Sequence, residues 1–131
     1  MSKIAVVVTT SVIDNKTVTA IEYVTTALEQ GEDVIGVFFY QDGVLNASQN
    51  VSIPSDEFQT TKAWQALHER FDLPLYLCIS AAEKRGLSDQ IPVTTDKGTT
   101  QMHSNMLPCF TISGLGELVE LTTNADKVIQ L

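Results

Sequence analysis

Three short apolar runs recur along the chain, and each is followed by a segment with helical features. The runs are Ile4–Val8, Val34–Tyr40 and Leu75–Ile79. They lack the alternation of apolar and polar residues found in half-exposed strands, which favours strands buried on both faces of a parallel sheet. Because parallel strands need a crossover connection, usually a helix, the pattern predicts an α/β fold whose parallel sheet is covered on both faces.

The connecting segments supply the predicted helices. Apolar residues between Val18 and Leu28 share one helical face, and Gly31 ends that helix. A second helix is predicted to begin at Ser55, because a capping side chain followed by two acids suits a first turn. Ser113 is expected to cap a later helix before the final strand.

Two further strands and two irregular segments complete the predicted order. Met106–Ile112 and Lys127–Leu131 are predicted to be strands, which brings the sheet to five. Val44–Pro54 is polar and is predicted to be an ordered surface loop. Leu87–Asn105 has no clear period, which is typical of a functional loop, an unrecognised short element or disorder.

Length and composition indicate one globular domain spanning residues 1–131. With 131 residues, 44% of them hydrophobic, the chain is long enough for a core and short for two ordinary domains. No apolar run approaches the roughly 20 residues of a membrane span. The first run is also shorter than the apolar core of a signal peptide, so a cytoplasmic protein without membrane contact is expected.

Charge and cysteine usage exclude several classes of function. A net charge of −8 argues against direct nucleic-acid binding and favours pairing with a basic partner. Two cysteines, without a secretion signal, do not indicate a disulfide framework. There is no paired cysteine or cysteine–histidine spacing of the zinc-binding kind, and we expect neither a metal nor a cofactor.

Cys78 is the main candidate for chemistry. It lies where the third apolar run ends, and Ser80-x-x-Glu83 then fits a capping box for a short helix ended by Gly86. Ligands of open α/β sheets collect at this edge, and free N–H groups at a helix start favour a thiolate. The competing interpretation is a small buried hydrophobe, because free cysteine is among the most buried residue types.

The other candidates have weaker signals. Cys109 is predicted to be a core or edge thiol, with a resolving cysteine as the alternative if it approaches Cys78. His68 is predicted to be structural, and His103 is an open candidate for a neighbour of Cys78. Since spacing gives Cys78 no fixed base, thiol exchange or persulfide carriage suits it better than hydrolysis. Ser113-Gly114-Leu115-Gly116 is predicted to be a close-packing turn rather than a nucleotide loop.

Four groups of residues, in order along nearly the whole chain, match a known family. They are Phe38-Phe39-Tyr40-x-x-Gly43-Val44-x-Asn46-Ala47; Ser55-Asp56-Glu57-Phe58 with Ala63-Trp64; Cys78 ahead of Ala81-Ala82 and Arg85-Gly86; and Phe110-Thr111-x-Ser113-Gly114-Leu115-Gly116. Together they make the chain resemble the TusD branch of the DsrE/DsrF-like sulfur-relay proteins.

The resemblance implies a fold, an activity and partners. The fold would be a three-layer α/β/α domain with a central, mostly parallel five-stranded sheet. The cysteine that matches Cys78 would take sulfur as a persulfide from a TusA-like donor and pass it to a TusE-like acceptor. Sister subunits similar to TusB and TusC would complete a dimer of heterotrimers. The sulfur would end in the 2-thio group of the tRNA wobble uridine.

Three alternatives remain open at this level. The chain would be a DsrE-like sulfur carrier in sulfur oxidation, or a non-catalytic scaffold subunit in which Cys78 is only structural. A flavodoxin-like cofactor binder is the third. Thr9-Thr10-Ser11, the loop after the first strand, contains no glycine, which disfavours that last reading.

Overall fold

The computed structural model describes residues 2–131. Its strands form a five-stranded parallel sheet and a separate two-stranded hairpin. The strands are β1 (Lys3–Val8), β2 (Asp33–Phe39), β3 (Leu75–Cys78), β4 (Ile91–Thr94), β5 (Thr100–His103), β6 (Thr111–Ser113) and β7 (Lys127–Gln130). The order in the large sheet is β6-β3-β2-β1-β7, with every pair parallel. This confirms the predicted α/β class and the number of strands.

Helices cover both faces of the large sheet. They are α1 (Asn15–Glu29), α2 (Thr60–Phe71), α3 (Ile79–Lys84) and α4 (Leu115–Asn124), together with a 3-10 helix at Gln41–Ala47. On β2, Phe39 packs edge-on against Trp64 of α2, with ring centroids 4.9 Å apart. A Cβ on Gly36 would instead lie 3.1 Å from Leu121 of α4. Because neighbouring strand residues alternate between faces, α2 and α4 lie on opposite sides.

Two helix starts show how local hydrogen bonding decides an element's boundary. Asp14 caps α1, its Oδ1 accepting from the backbone N–H of Lys16 at 2.8 Å. The prediction that α2 begins at Ser55 is wrong, because that helix starts at Thr60. The preceding residues form a turn in which the Gln59 side-chain amide donates to the Pro54 carbonyl at 2.8 Å.

The prediction of a surface loop at Val44–Pro54 is wrong for the first part of that segment. Val44, Asn46 and Ala47 are fully buried within the 3-10 helix. Asn46 is polar because it forms hydrogen bonds inside the protein, to the Gly43 carbonyl and the Trp64 indole, rather than with water.

The Leu87–Asn105 segment contains the antiparallel hairpin of β4 and β5, which sequence periodicity did not indicate. Nearly all of its residues are exposed, so no buried face imposes an alternation. The predicted strand at Met106–Ile112 is also displaced, since β6 spans Thr111–Ser113. A turn closed by the Phe110 N–H on the Leu107 carbonyl precedes it, and Pro108 lies in that turn.

Candidate functional site

The carboxyl ends of the parallel strands bring the candidate residues to one edge of the sheet. Cys78 is the last residue of β3 and pairs with Ser113, the last residue of β6. The predicted position of Cys78, at a strand end and a helix start, is therefore confirmed. In open α/β sheets this edge is where ligands bind.

The backbone passes from β3 into α3 without a loop. Cys78 itself is the N-cap residue, and α3 begins at Ile79. The predicted capping box is wrong, because Ser80 and Glu83 already lie inside the helix; within residues 2–131 the helix start has no side-chain cap. The first-turn N–H groups of a helix have no intrahelical partner, so they are free to face negative charge near Cys78.

The sulfur is shielded more completely than its edge position suggests. Cys78 is 1% exposed and belongs to the hydrophobic core, which is the burial that the competing interpretation of a small buried hydrophobe predicts. The 3-10 helix packs against both β3 and α3. The next two residues, Ile79 and Ser80, are exposed. The buried thiol is thus followed directly in the chain by an accessible segment.

Asn46 joins three elements behind this edge. Its Nδ2 donates to the Thr10 carbonyl at 3.1 Å and to the Gly43 carbonyl at 2.8 Å. Its Oδ1 accepts from the indole N–H of Trp64 at 3.1 Å. Asn46 and Trp64 are both fully buried, so the bonds to Gly43 and Trp64 act without competition from water, whereas the bond to Thr10 is part-buried. Asn46 appeared in the sequence only as part of a matched motif.

Gly43 allows the 3-10 helix to lie directly against the end of β1. A Cβ at this position would lie 2.0 Å from the Val8 carbonyl oxygen, a contact that no side chain can make. The same oxygen accepts from the Tyr40 N–H at 3.0 Å. Only glycine fits at this position. The sequence showed Gly43 as part of a matched motif but did not reveal its close approach to β1.

Arg85 connects the end of α3 to the 3-10 helix. Its Nε donates to Asp42 Oδ1 at 2.9 Å, and its Nη1 donates to the Ala81 carbonyl at 3.0 Å. The Asp42 side chain is 64% exposed, so the ion pair is screened by solvent and contributes more to position than to stability.

Cys109 lies towards the opposite end of the sheet. Tyr76 pairs with Thr111, so Cys78 lies two residues beyond that level and Cys109 two residues before it. Cys109 lies in the turn before β6, whereas Cys78 ends β3, and both are free thiols. The resolving role of Cys109 stays a prediction.

The environment of Cys109 also disfavours the thiolate. Burial raises the pKa of the Cys109 thiol, and the nearby Glu69 carboxylate raises it further, against a smaller opposing effect of its own backbone N–H. The thiol is half-buried rather than enclosed. Half-burial beside β6 agrees with the prediction of an edge thiol.

The two histidines do not join Cys78. Nδ1 of His68 lies 2.8 Å from the Leu73 carbonyl oxygen, which fits the predicted structural role. His103 is exposed on β5, where it pairs with Ile91 of β4 in the hairpin. Among the side chains of residues 2–131, no cluster of histidine, cysteine or carboxylate groups is arranged to hold a metal ion. No helix in this part of the chain is long and apolar enough to cross a membrane.

Comparisons with known proteins agree with this geometry. The model of the DsrE/DsrF-like family matches residues 2–131. "Sulfurtransferase TusD" of Proteus mirabilis (strain HI4320) is 44% identical over 103 residues, covering 79% of this chain and 77% of the relative. "Sulfurtransferase TusD" of Klebsiella pneumoniae (strain 342) is 37% identical over 109 residues, covering 83% of each.

A solved structure shows the same fold at lower identity. The crystal structure of the ychN protein from E. coli covers 100% of both chains with a TM-score of 0.78 at 20% identity. That likeness concerns the fold alone, whereas the family match and the curated relatives concern the sequence over most of its length. The chain therefore belongs to the DsrE/DsrF-like family.

Proposed function

We propose that this chain acts as a sulfur-relay sulfurtransferase, with Cys78 carrying the sulfur as a persulfide on its way to the tRNA wobble uridine. The similarity to relatives named sulfurtransferase, 37–44% identical over about four fifths of the chain, is the observation that carries the activity. The position of Cys78 at the carboxyl edge of the sheet, beside the start of α3, supports its choice over Cys109.

The transfer is an exchange of sulfur between thiols. The Cys78 thiolate attacks the outer sulfur of a donor persulfide, and the donor's S–S bond breaks as its own thiolate leaves. A new S–S bond then joins Cys78 to the transferred sulfur. An acceptor thiolate attacks that same outer sulfur and releases Cys78 as a thiolate. Each step breaks one S–S bond and forms another, so no external oxidant or reductant is consumed.

Burial of Cys78 requires a local opening before transfer. The helix α3 has six residues and begins without a side-chain cap in the described part of the chain. Such short helices are marginal by themselves, and local opening of small elements costs less than global unfolding. Ile79 and Ser80, the first two residues of α3, are already exposed, so we expect the opening to occur at this helix start.

Relay membership implies protein partners for each step. We assign a TusA-like donor, a TusE-like acceptor and TusB- and TusC-like sister subunits in a dimer of heterotrimers. The net charge of −8 supports basic surfaces on the proteins that meet this chain.

Mass spectrometry after incubation with a persulfide-loaded donor protein tests the assignment. The wild-type chain is expected to gain one sulfur that peptide mapping places on Cys78. Cys78→Ser should reduce loading to background, whereas the matched control Cys109→Ser should load within about twofold of wild type. Sulfur retained on Cys78→Ser would refute Cys78 as the carrier. Restoration of 2-thiouridine in cells lacking the corresponding subunit would separate tRNA thiolation from a role in sulfur oxidation.

The 1% exposure of Cys78 favours a second candidate, a scaffold subunit with a structural thiol. A thiol reagent applied to the folded protein at mildly acidic pH separates the two. The carrier role requires Cys78 to react while the protein stays folded. A thiol that reacts only upon global unfolding, and gains no sulfur from the donor, would establish the scaffold role.

A further inference from the structure

Two glycines at the start of α4 have no packing role inside the fold. Gly114 has an ordinary φ of −89°, and an added Cβ at Gly114 or Gly116 would meet no described atom within 4 Å. The predicted close-packing turn is therefore wrong. Glycine inside a helix costs up to about 1 kcal/mol relative to alanine, so Gly116 in the first turn lowers stability without a compensating contact.

These glycines lie beside the candidate sulfur carrier. Ser113 pairs with Cys78, so α3 and α4 begin next to each other at the same edge of the sheet. The first residue of each helix is an exposed aliphatic side chain: Ile79 is 41% exposed and Leu115 is 49% exposed. A bare stretch of backbone flanked by two apolar side chains thus adjoins the buried thiol.

We propose that Ile79, Gly114, Leu115 and Gly116 form the docking surface for the persulfide-bearing segment of the protein donor that loads Cys78. The proposal rests on the carrier role proposed above. Since an S–S bond is about 2.05 Å long, the partner's main chain must come within one side-chain length of Cys78 during transfer. The glycines leave room for that approach.

The same surface also defines what the partner segment presents. The N–H groups of the first turn of α4 have no intrahelical partners and can donate to main-chain carbonyl groups of an extended segment. Ile79 and Leu115 would contact apolar side chains next to the partner's cysteine. Because this chain carries a charge of −8, and Glu117 lies in the first turn of α4, residues flanking that segment are expected to be basic.

The test compares a small and a protein sulfur donor on the same variants. Gly116→Ala and Gly116→Gln should fold with a Tm equal to or above that of the wild type, because both replace glycine in a helix. Loading of Cys78 from glutathione persulfide should stay within twofold of wild type. Loading from a persulfide-loaded TusA-like protein should fall at least tenfold in Gly116→Gln. Thr123→Gln, exposed seven residues further along α4, is the matched control and should load normally from both donors.

The outcomes separate this surface from the carrier role. Unchanged protein-to-protein transfer in Gly116→Gln would overturn the docking surface while leaving Cys78 as the carrier. Equal losses with both donors would also overturn it, because the substitution would then act on the thiol itself. If wild-type Cys78 takes no sulfur even from glutathione persulfide, the carrier role fails, and the docking surface fails with it.

Discussion

One cysteine lies towards each end of the parallel sheet, and the two differ in burial and in backbone structure. At the carboxyl end, Cys78 passes directly into a helix and is almost completely buried. Towards the amino end, Cys109 lies in a turn and is only half-buried. Exposure alone would select Cys109 as the reactive thiol. Position at the carboxyl edge of the sheet favours Cys78 instead, and burial, the largest effect, raises the pKa of the Cys109 thiol.

The difference extends to the hydrogen bonds at each end of the sheet. The carboxyl end has buried hydrogen bonds of Asn46 and the close approach at Gly43. The amino end has solvent-exposed links, such as the Lys3 backbone N–H donating to Asp126 at 2.8 Å. The 3-10 helix packs against α3, which is short and has no side-chain cap in the described residues. Such an arrangement suits local opening of α3 next to Cys78 without disturbance of the sheet.

The largest effect is expected from Gly43→Ala. The added methyl group would lie 2.0 Å from the Val8 carbonyl oxygen, so the backbone at the end of β1 must move. We expect a loss of about 3 kcal/mol or more in the free energy of unfolding, measured by urea denaturation. Gly116→Ala, at an unhindered glycine, serves as the control and should be neutral or stabilising. A Gly43→Ala protein with wild-type stability would show that the carboxyl end is not rigidly packed.

A smaller loss is expected from Asn46→Ala. The substitution leaves the Trp64 indole N–H and the Gly43 carbonyl buried without this partner and removes the part-buried bond to the Thr10 carbonyl, at a cost of about 2 kcal/mol in the free energy of unfolding. Asn105→Ala is the comparison, because Asn105 is only half-buried and also bonds the backbone of Gly86 and Ser88. It should cost about 1 kcal/mol, since water can replace those bonds. Equal losses would contradict the stated role of burial.

The pH dependence of stability should reveal the protonated state of Cys109. Its pKa is raised in the folded protein, so the folded state retains the proton longer than the unfolded state does. The stabilisation is therefore fully present below the unfolded value, about 8.5, and is lost as pH rises above it. Melting temperatures between pH 8 and 10 should fall less in Cys109→Ser than in the wild type. Parallel curves would contradict the raised pKa.

Tyr76 contributes a similar slope at higher pH and must be controlled. Burial raises the pKa of its phenol, and the Glu117 and Glu120 carboxylates raise it further. The sign is the same, with stability lost above the ordinary tyrosine value of about 10. Comparing Cys109→Ser in the wild-type and Tyr76→Phe backgrounds isolates the thiol.

The smallest effect is expected from Asp42→Asn, which removes the ion pair with Arg85. Because the Asp42 side chain is 64% exposed, the loss should be below about 1 kcal/mol in the free energy of unfolding. High salt should reduce even that difference. A substantially larger loss in urea denaturation would mean that this pair supports the carboxyl end as strongly as Asn46 does.

Elements with a buried face were predictable because burial imposes a pattern. The runs at Ile4–Val8 and Val34–Tyr40 became central strands, and the apolar stripe from Val18 became α1. The exposed hairpin lacked such a pattern, and periodicity missed it. Two polar residues led to wrong predictions. Asn46 was assigned to an exposed loop but is buried and hydrogen-bonded to residues distant in sequence. Ser80 was predicted to cap α3 but lies inside that helix, which starts at Ile79.

The position of Cys78 was fixed by the order of its neighbours along the chain: an apolar run before it and helix-compatible residues after it place the thiol at a strand end. Tertiary packing alone decided that Cys78 is buried, that Cys109 is half-buried and that a Cβ at Gly114 or Gly116 would meet no neighbouring atom. The reason is that periodicity records which face of an element is buried. Exposure and distance depend instead on how segments far apart in sequence pack over one another.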